Sequence, residues 1–233
     1  MRKVNPNGVR ADFNENAAAI IQHFDRLDSA IARTDTREGD LSQLATQSFL
    51  ALFVAFERFT SDLLLAYLNR DSSKCQSELA ARVDQSTRAK FGDGVGTRVV
   101  FQARQHLALS DLEAIVDPTG WNLTFNTVAK LKQYASDFLV PSFATRVNTI
   151  SGPEARLIDT ARAIRDFIAH QSSASKTHMN ACLSSVEAGT HNRYLGRAGN
   201  QVNSVGAYLK SVHAGRRRLH RYATGLLAIS VHI

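Results

Sequence analysis

Three side chains within six residues have the chemistry to grip a phosphate and move a proton: Arg165, Asp166 and His170. An imidazole gains or loses a proton near neutral pH, so His170 is a candidate general base or general acid. A guanidinium matches phosphate oxygens in a two-point fork, which makes Arg165 the candidate phosphate clamp. Asp166 stands one turn before His170 and can orient the ring and favour its protonated form. Asp159, Arg162, Asp166 and His170 follow one another at spacings of three, four and four. At helical spacing these four form a row of alternating charge that ends in the imidazole. Arg165 lies beside that row, about 140° around the helix from His170.

The element that must carry these groups is an amphipathic helix over residues 154–170. Leu157, Ile158, Ala161, Ile164, Ile168 and Ala169 recur at the spacings of one helical face. Gly152 and Pro153 precede it, and proline is well tolerated in a first helical turn. A second, longer helix is expected over residues 41–69. Its main apolar stripe is Phe49, Leu52, Phe53, Phe56, Phe59, Leu63 and Tyr67, and a second stripe holds Leu50, Val54, Leu64 and Leu68. A helix apolar on two sides is either central to a bundle or shared with a partner chain. Glu57 sits on the second stripe. Periodicity leaves two readings open: exposure beside Arg58 and Asp62, or burial, where the carboxylate needs a cation and would hold Arg165 or Arg162 in place.

The run Arg165-Asp166-Phe167-Ile168-Ala169-His170 resembles the Arg-polar-x-x-x-His signature of the HEPN superfamily, small all-helical proteins of which many are metal-independent endoribonucleases. Within it the RiboL-PSP-type branch is the most similar. The resemblance spans about residues 41–187, with the six-residue run as its specific part. It implies an all-α HEPN-like helical bundle, with additional N- and C-terminal helices, in which two motif helices meet across a two-fold axis. Metal-free RNA cleavage needs a base for the ribose 2′-OH, a cation for the charge on the phosphorane and an acid for the leaving 5′-oxygen. Two histidines in a composite site would supply base and acid by symmetry. Toxin members silenced by nucleotidyl transfer often carry a tyrosine two residues beyond the histidine. That position is Ser172 here, with Tyr194 only a distant substitute.

Along the rest of the chain, residues 1–12 are expected to be loosely attached, with Asn14 capping an N-terminal helix over about 14–33. Further helices are expected over 77–91, 110–116, 127–139 and 176–186; over 97–109 Val99, Val100 and Phe101 could form a strand, but no partner strand is visible and a helix is favoured. Residues 142–151 read as a bridge, and a final basic helix is expected over about 202–229. The loop at residues 92–96 has neither the preceding strand nor the Gly-Lys-Ser/Thr of a phosphate cradle and reads as a turn. Trp121 reads as a core anchor. Arg216, Arg217, Arg218 and Arg221, extended by Arg193 and Arg197, form the candidate RNA-backbone path.

The chain of 233 residues is 44% hydrophobic, and 28 Lys and Arg against 21 Asp and Glu leave a net charge of +7. That surplus favours a polyanionic partner such as RNA. Cys75 and Cys182 stand far apart, outside any ligand spacing, which fits a reduced cytoplasmic setting. The N-terminus lacks the apolar run of a signal peptide, and charges interrupt the most apolar window, residues 49–68. No HExxH or paired-carboxylate spacing surrounds His106, His178, His191 or His213, and no GxSxG elbow occurs. The expectation is a single-domain homodimeric endoribonuclease without metal or cofactor. It would act as a toxin or anti-phage effector under an antitoxin or another regulatory partner, with no membrane association. The rival classes are an inactive HEPN module that binds RNA or protein, and a helical scaffold.

Overall fold

A computed structural model describes residues 4–104, 107–116, 124–184, 201–213 and 215–233. The fold is all-α. Helix α1 spans Pro6–Ala30 and is followed by a 3₁₀ turn, Ile31–Arg33. It begins eight residues before the expected start, because Asn5 and Pro6 form a cap and first-turn pair. The Asn5 side chain accepts a hydrogen bond from the Asn7 backbone, and proline needs no N–H partner there. Residues 4–12 are accordingly not loose: Arg10 is buried, and just beyond them Phe13 stacks on Phe59 with ring centroids 4.8 Å apart.

Helix α2, Arg37–Arg70, is the axis of the bundle, and α1, a helix near residue 112, the motif helix and the C-terminal elements all pack against it. Phe49, Leu52, Phe53, Phe56, Phe59, Leu63 and Tyr67 are all buried. Burying each such side chain contributes roughly 1.5–3 kcal/mol. The second stripe divides. Leu64 and Leu68 are buried, Leu50 is half-buried, and Val54 is 47% exposed.

Helix α3, Ser73–Phe91, and the single turn α4, Asp93–Gly96, follow. The helix expected over 97–109 does not form among the described residues. Residues 99–104 carry no regular structure. Val99, Val100 and Phe101 are consecutive rather than spaced by three or four, so no helical face results. The buried Gln76 side chain instead pairs with both backbone groups of Arg104, its Nε2 donating to the carbonyl at 2.8 Å and its Oε1 accepting the N–H at 2.6 Å.

Helix α5 is Leu109–Val116. Helix α6, Val128–Phe138, is capped by the Thr127 hydroxyl. The expected bridge is itself helical: Pro141 both ends α6 and opens α7, Pro141–Asn148. The motif helix α8 spans Gly152–His170, and α9 spans Ser173–Ser184. The final basic helix is interrupted. Helix α10, Val205–Lys210, leads into a two-residue hairpin of β1, Val212–His213, and β2, Arg216–Arg217, before α11, Arg218–His232. Gly215, at φ +78°, lies in the turn of that hairpin, where a side chain would be strained.

One buried cluster runs from Phe13 through Ile164 to Ile233. Helix α10 meets α2 backbone to backbone, because a Cβ on Gly206 would lie 2.2 Å from the Ser42 carbonyl oxygen. No helix among the described residues is long and apolar enough to cross a membrane.

Candidate active site

Helix α8 is fixed at its start by a capping box. The Ser151 hydroxyl accepts from the Glu154 N–H, while the Glu154 carboxylate accepts from the Ser151 backbone at 2.7 Å. Burial alone would raise the Glu154 pKa, but the Ser151 backbone and hydroxyl groups, with the positive charges of His232 and Lys132, outweigh it and hold the carboxyl low. Leu157, Ile158, Ala161 and Ile164 are buried, and Arg162 and Arg165 lie at the margin of that buried face, toward Glu57 of α2.

Glu57 is 9% exposed and faces α8. Its Oε1 lies 3.0 Å from Arg162 Nη1 and its Oε2 lies 3.5 Å from Arg165 Nη2. Of the two readings open for this carboxylate, the buried and paired one is the geometry observed. The contact to Arg162 is a charge contact rather than a directed hydrogen bond, since Glu57 Oε1 and Arg162 Nε are both buried without a hydrogen-bond partner. Arg162 also sits 5.7 Å above the Phe53 ring centroid, and its side chain is 15% exposed against 30% for Arg165. Arg162 is thus the inner cation and Arg165 the outer one.

The expected charge row along α8 is not a row of mutual contacts. Asp159 accepts a hydrogen bond from the Val128 N–H at 2.9 Å, tying α8 to the start of α6. Burial is the largest influence on Asp159 and raises its pKa, outweighing that hydrogen bond and Arg162. Asp166 pairs with Arg165 at 2.9 Å rather than with His170. Neither acid forms a hydrogen bond or ion pair with its next neighbour in the row among the described residues. His170, the last residue of α8, is exposed and makes no hydrogen bond or ion pair among the described residues. The four charged groups Glu57, Arg162, Arg165 and Asp166 are neutral as a set, so phosphate would meet a polarised cluster rather than a bare cation.

Beyond His170 the chain turns sharply. Gln171 caps the helix in the left-handed region at φ +48°, where glycine is the relaxed residue and any other costs about 1 kcal/mol. A cavity of about 480 Å³ opens there, between Thr46 of α2, the end of α8 and the starts of α9 and α10. The sequence reading missed it. Gln171 and Lys176 carry no spacing signal, because the cavity exists only where three separate segments meet.

The basic path does not hold together as expected. Arg217 pairs with Asp28 and donates to the Lys210 carbonyl, and Arg218 bonds the Ser211 hydroxyl and lies 4.7 Å over the Tyr208 ring. Arg221 is half-buried, and Arg216 alone of the four is exposed. The hairpin splits the run between two elements and turns Arg217 and Arg218 inward. Arg193, Arg197, Tyr194 and Trp121 lie outside the described residues, as do His106 and His191. Burial pushes the pKa values of both thiols, Cys75 and Cys182, up. Among the described residues no group of three or more His, Cys, Asp or Glu side chains is arranged to hold a metal ion. The chain matches no family model, no curated protein and no solved structure.

Proposed function

We propose that the chain is a HEPN-type, metal-independent endoribonuclease whose active site is completed by a second copy. The observation that carries this reading is the buried Glu57 carboxylate, paired with both Arg162 and Arg165 on the helix that ends in an exposed His170. A carboxylate taken from water to hold two guanidiniums contributes little net stability, so positioning is the better account of it. Here it fixes Arg165 at the edge of the bundle, one and a half turns from the imidazole. In the dimer, two α8 helices face each other. One His170 takes the 2′-OH proton as the 2′-oxygen attacks phosphorus, and the other protonates the 5′-oxygen as the P–O5′ bond breaks, leaving a 2′,3′-cyclic phosphate. Arg165 stabilises the charge on the phosphorane. Exposed Val54 and half-buried Leu50 on α2 offer the apolar part of the seam. In this reading the protein is a cytoplasmic toxin or anti-phage effector held in check by an antitoxin or an activating signal.

The test is incubation of the purified protein with total RNA in EDTA, comparing wild type with Arg165→Ala and His170→Ala. Cleavage by wild type and loss in both variants, with melting temperature and dimer mass unchanged, is expected. Full activity in His170→Ala sinks the mechanism.

One feature favours a second reading, a module that binds RNA or protein without cleaving. Arg165 is already engaged by two carboxylates, and Asp166 does not reach His170. Such a module shows salt-steep RNA affinity and no product. A helical scaffold shows neither.

A further inference from the structure

The cavity beyond His170 has a lining that selects its ligand. Phe167 and Ile168, from the last turn of α8, give it an apolar wall, and among the described residues no carboxylate lines it. Its volume lies within the roughly 300–1,000 Å³ of ordinary ligand sites. Several of its polar groups are already occupied: the Thr46 hydroxyl donates to the Ser42 carbonyl, Ser172 and Ser175 bond each other, and Ser204 caps α10. Three are not. The Gln171 amide, the Ser173 hydroxyl and the Lys176 ammonium have no hydrogen-bond or ion-pair partner among the described residues.

One cation with no competing anion among the described residues asks for a negative group. A free amide presents a donor and an acceptor side by side, the pattern that reads the edge of a base. A phenyl ring offers a surface for a planar heterocycle. Gln171 also stands where the backbone favours glycine, so its side chain is kept at a conformational cost. Gln171 follows His170 directly, and Phe167 precedes it by three residues, so the cavity opens at the helix end that carries His170, although the imidazole is not among the residues that line it.

We propose that this cavity is a nucleotide subsite, holding the RNA nucleotide next to the scissile phosphate with its base on Phe167, its edge on Gln171 and its phosphate on Lys176. The subsite rests on the ribonuclease reading for the word scissile, but its binding does not depend on catalysis. It gives the enzyme a base preference at one position flanking the cut.

The experiment is equilibrium binding to the full chain of 2′-O-methyl oligonucleotides, which lack the attacking hydroxyl, and of the four free nucleoside monophosphates. Wild type and His170→Ala are expected to bind the oligonucleotides equally, with one base preferred. Lys176→Gln should weaken binding at least about tenfold. Ser173→Trp, which fills the cavity from an exposed position, should abolish the preference. Gln171→Gly should flatten the preference while raising the melting temperature, which a merely structural glutamine would not do. Cavity variants that bind like wild type overturn the subsite, even if His170-dependent cleavage is intact. Monophosphates binding as tightly as oligonucleotides overturn it in favour of a free-nucleotide site. Cavity-dependent oligonucleotide binding without any cleavage supports the nucleotide site and overturns the ribonuclease reading alone.

Discussion

Glu57 and Arg162 join the middle of α2 to α8 across 3.0 Å in an almost water-free contact, with Arg165 as a second cation on the same carboxylate. Glu57→Gln leaves two guanidiniums facing an uncharged amide. It should cost about 2–4 kcal/mol, toward the lower end of breaking a buried pair because both cations retain some solvent. A double-mutant cycle with Arg162→Gln, read by denaturant unfolding, should give a coupling of about 1–3 kcal/mol. Additive single effects would mean that the pair does not form in solution.

The two arginines should separate by function. Arg162→Gln, at the inner position, is expected to lower stability and to reduce cleavage only through the loss of Arg165 positioning. Arg165→Gln, at the outer position, should reduce the rate of RNA cleavage by about 10²-fold or more with little change in melting temperature. The reverse pattern would assign the phosphate contact to Arg162.

Arg10 ties α1 to the far end of the bundle. Its Nε donates to the Ile233 carbonyl at 2.9 Å, and its Nη2 reaches the Tyr67 hydroxyl. Arg10→Ala should cost about 3 kcal/mol, since hydrogen bonds from a buried charge are each worth roughly 1.5–3 kcal/mol. Arg10→Lys should recover little, because an ammonium cannot span both acceptors. A loss under about 1 kcal/mol in urea unfolding would show that these bonds are not kept in solution.

Two glycines should respond oppositely to the same change. Gly206→Ala places a Cβ against the Ser42 backbone and should destabilise by about 1–3 kcal/mol or more. Gly39→Ala meets nothing within 4 Å and lies inside α2, so it should stabilise by up to about 1 kcal/mol. Thermal unfolding of both variants checks the pair, and equal effects would contradict the close α10–α2 crossing.

Asp159 carries a pH signature. Burial raises its folded pKa, so the folded state holds a proton that the unfolded chain releases, and this group's contribution to stability falls as pH rises through its titration. Asp159→Asn keeps an acceptor for the Val128 N–H without the charge. The variant should melt above wild type at pH 7, with the difference vanishing near about pH 3, where the carboxyl is protonated in both states. A variant that melts lower at pH 7 would show that the charge is stabilising.

Segments with local signals were legible. The 3.6-residue spacing of Phe49 to Tyr67 locates α2, and that of Leu157 to Ile168 locates α8, within a few residues. Thr127 before α6 marks a true start. Asn5-Pro6 is an equally local signal that the reading passed over in favour of Asn14. The failures fall where local and distant partners compete. Residues 99–104 are held by the Gln76 side chain rather than by their own backbone, and the 202–229 run breaks at a hairpin that turns at Gly215 and is held by Arg217 on Asp28.

The order of residues by itself determined that the chain is helical, which faces are apolar, and that Arg165, Asp166 and His170 share one helix, because hydrogen bonds four residues apart and side chains three or four apart are set by neighbours in the chain. Only the tertiary structure decided that Glu57 points inward to two arginines, that Asp166 meets Arg165 and not His170, that Arg217 and Arg218 are held by the chain itself, and that a cavity opens at Gln171. A charged side chain on a helix has several partners within reach, and burial removes water as the cheapest of them. Which cation answers a buried carboxylate is therefore fixed by the crossing of two helices, more than a hundred residues apart in the chain.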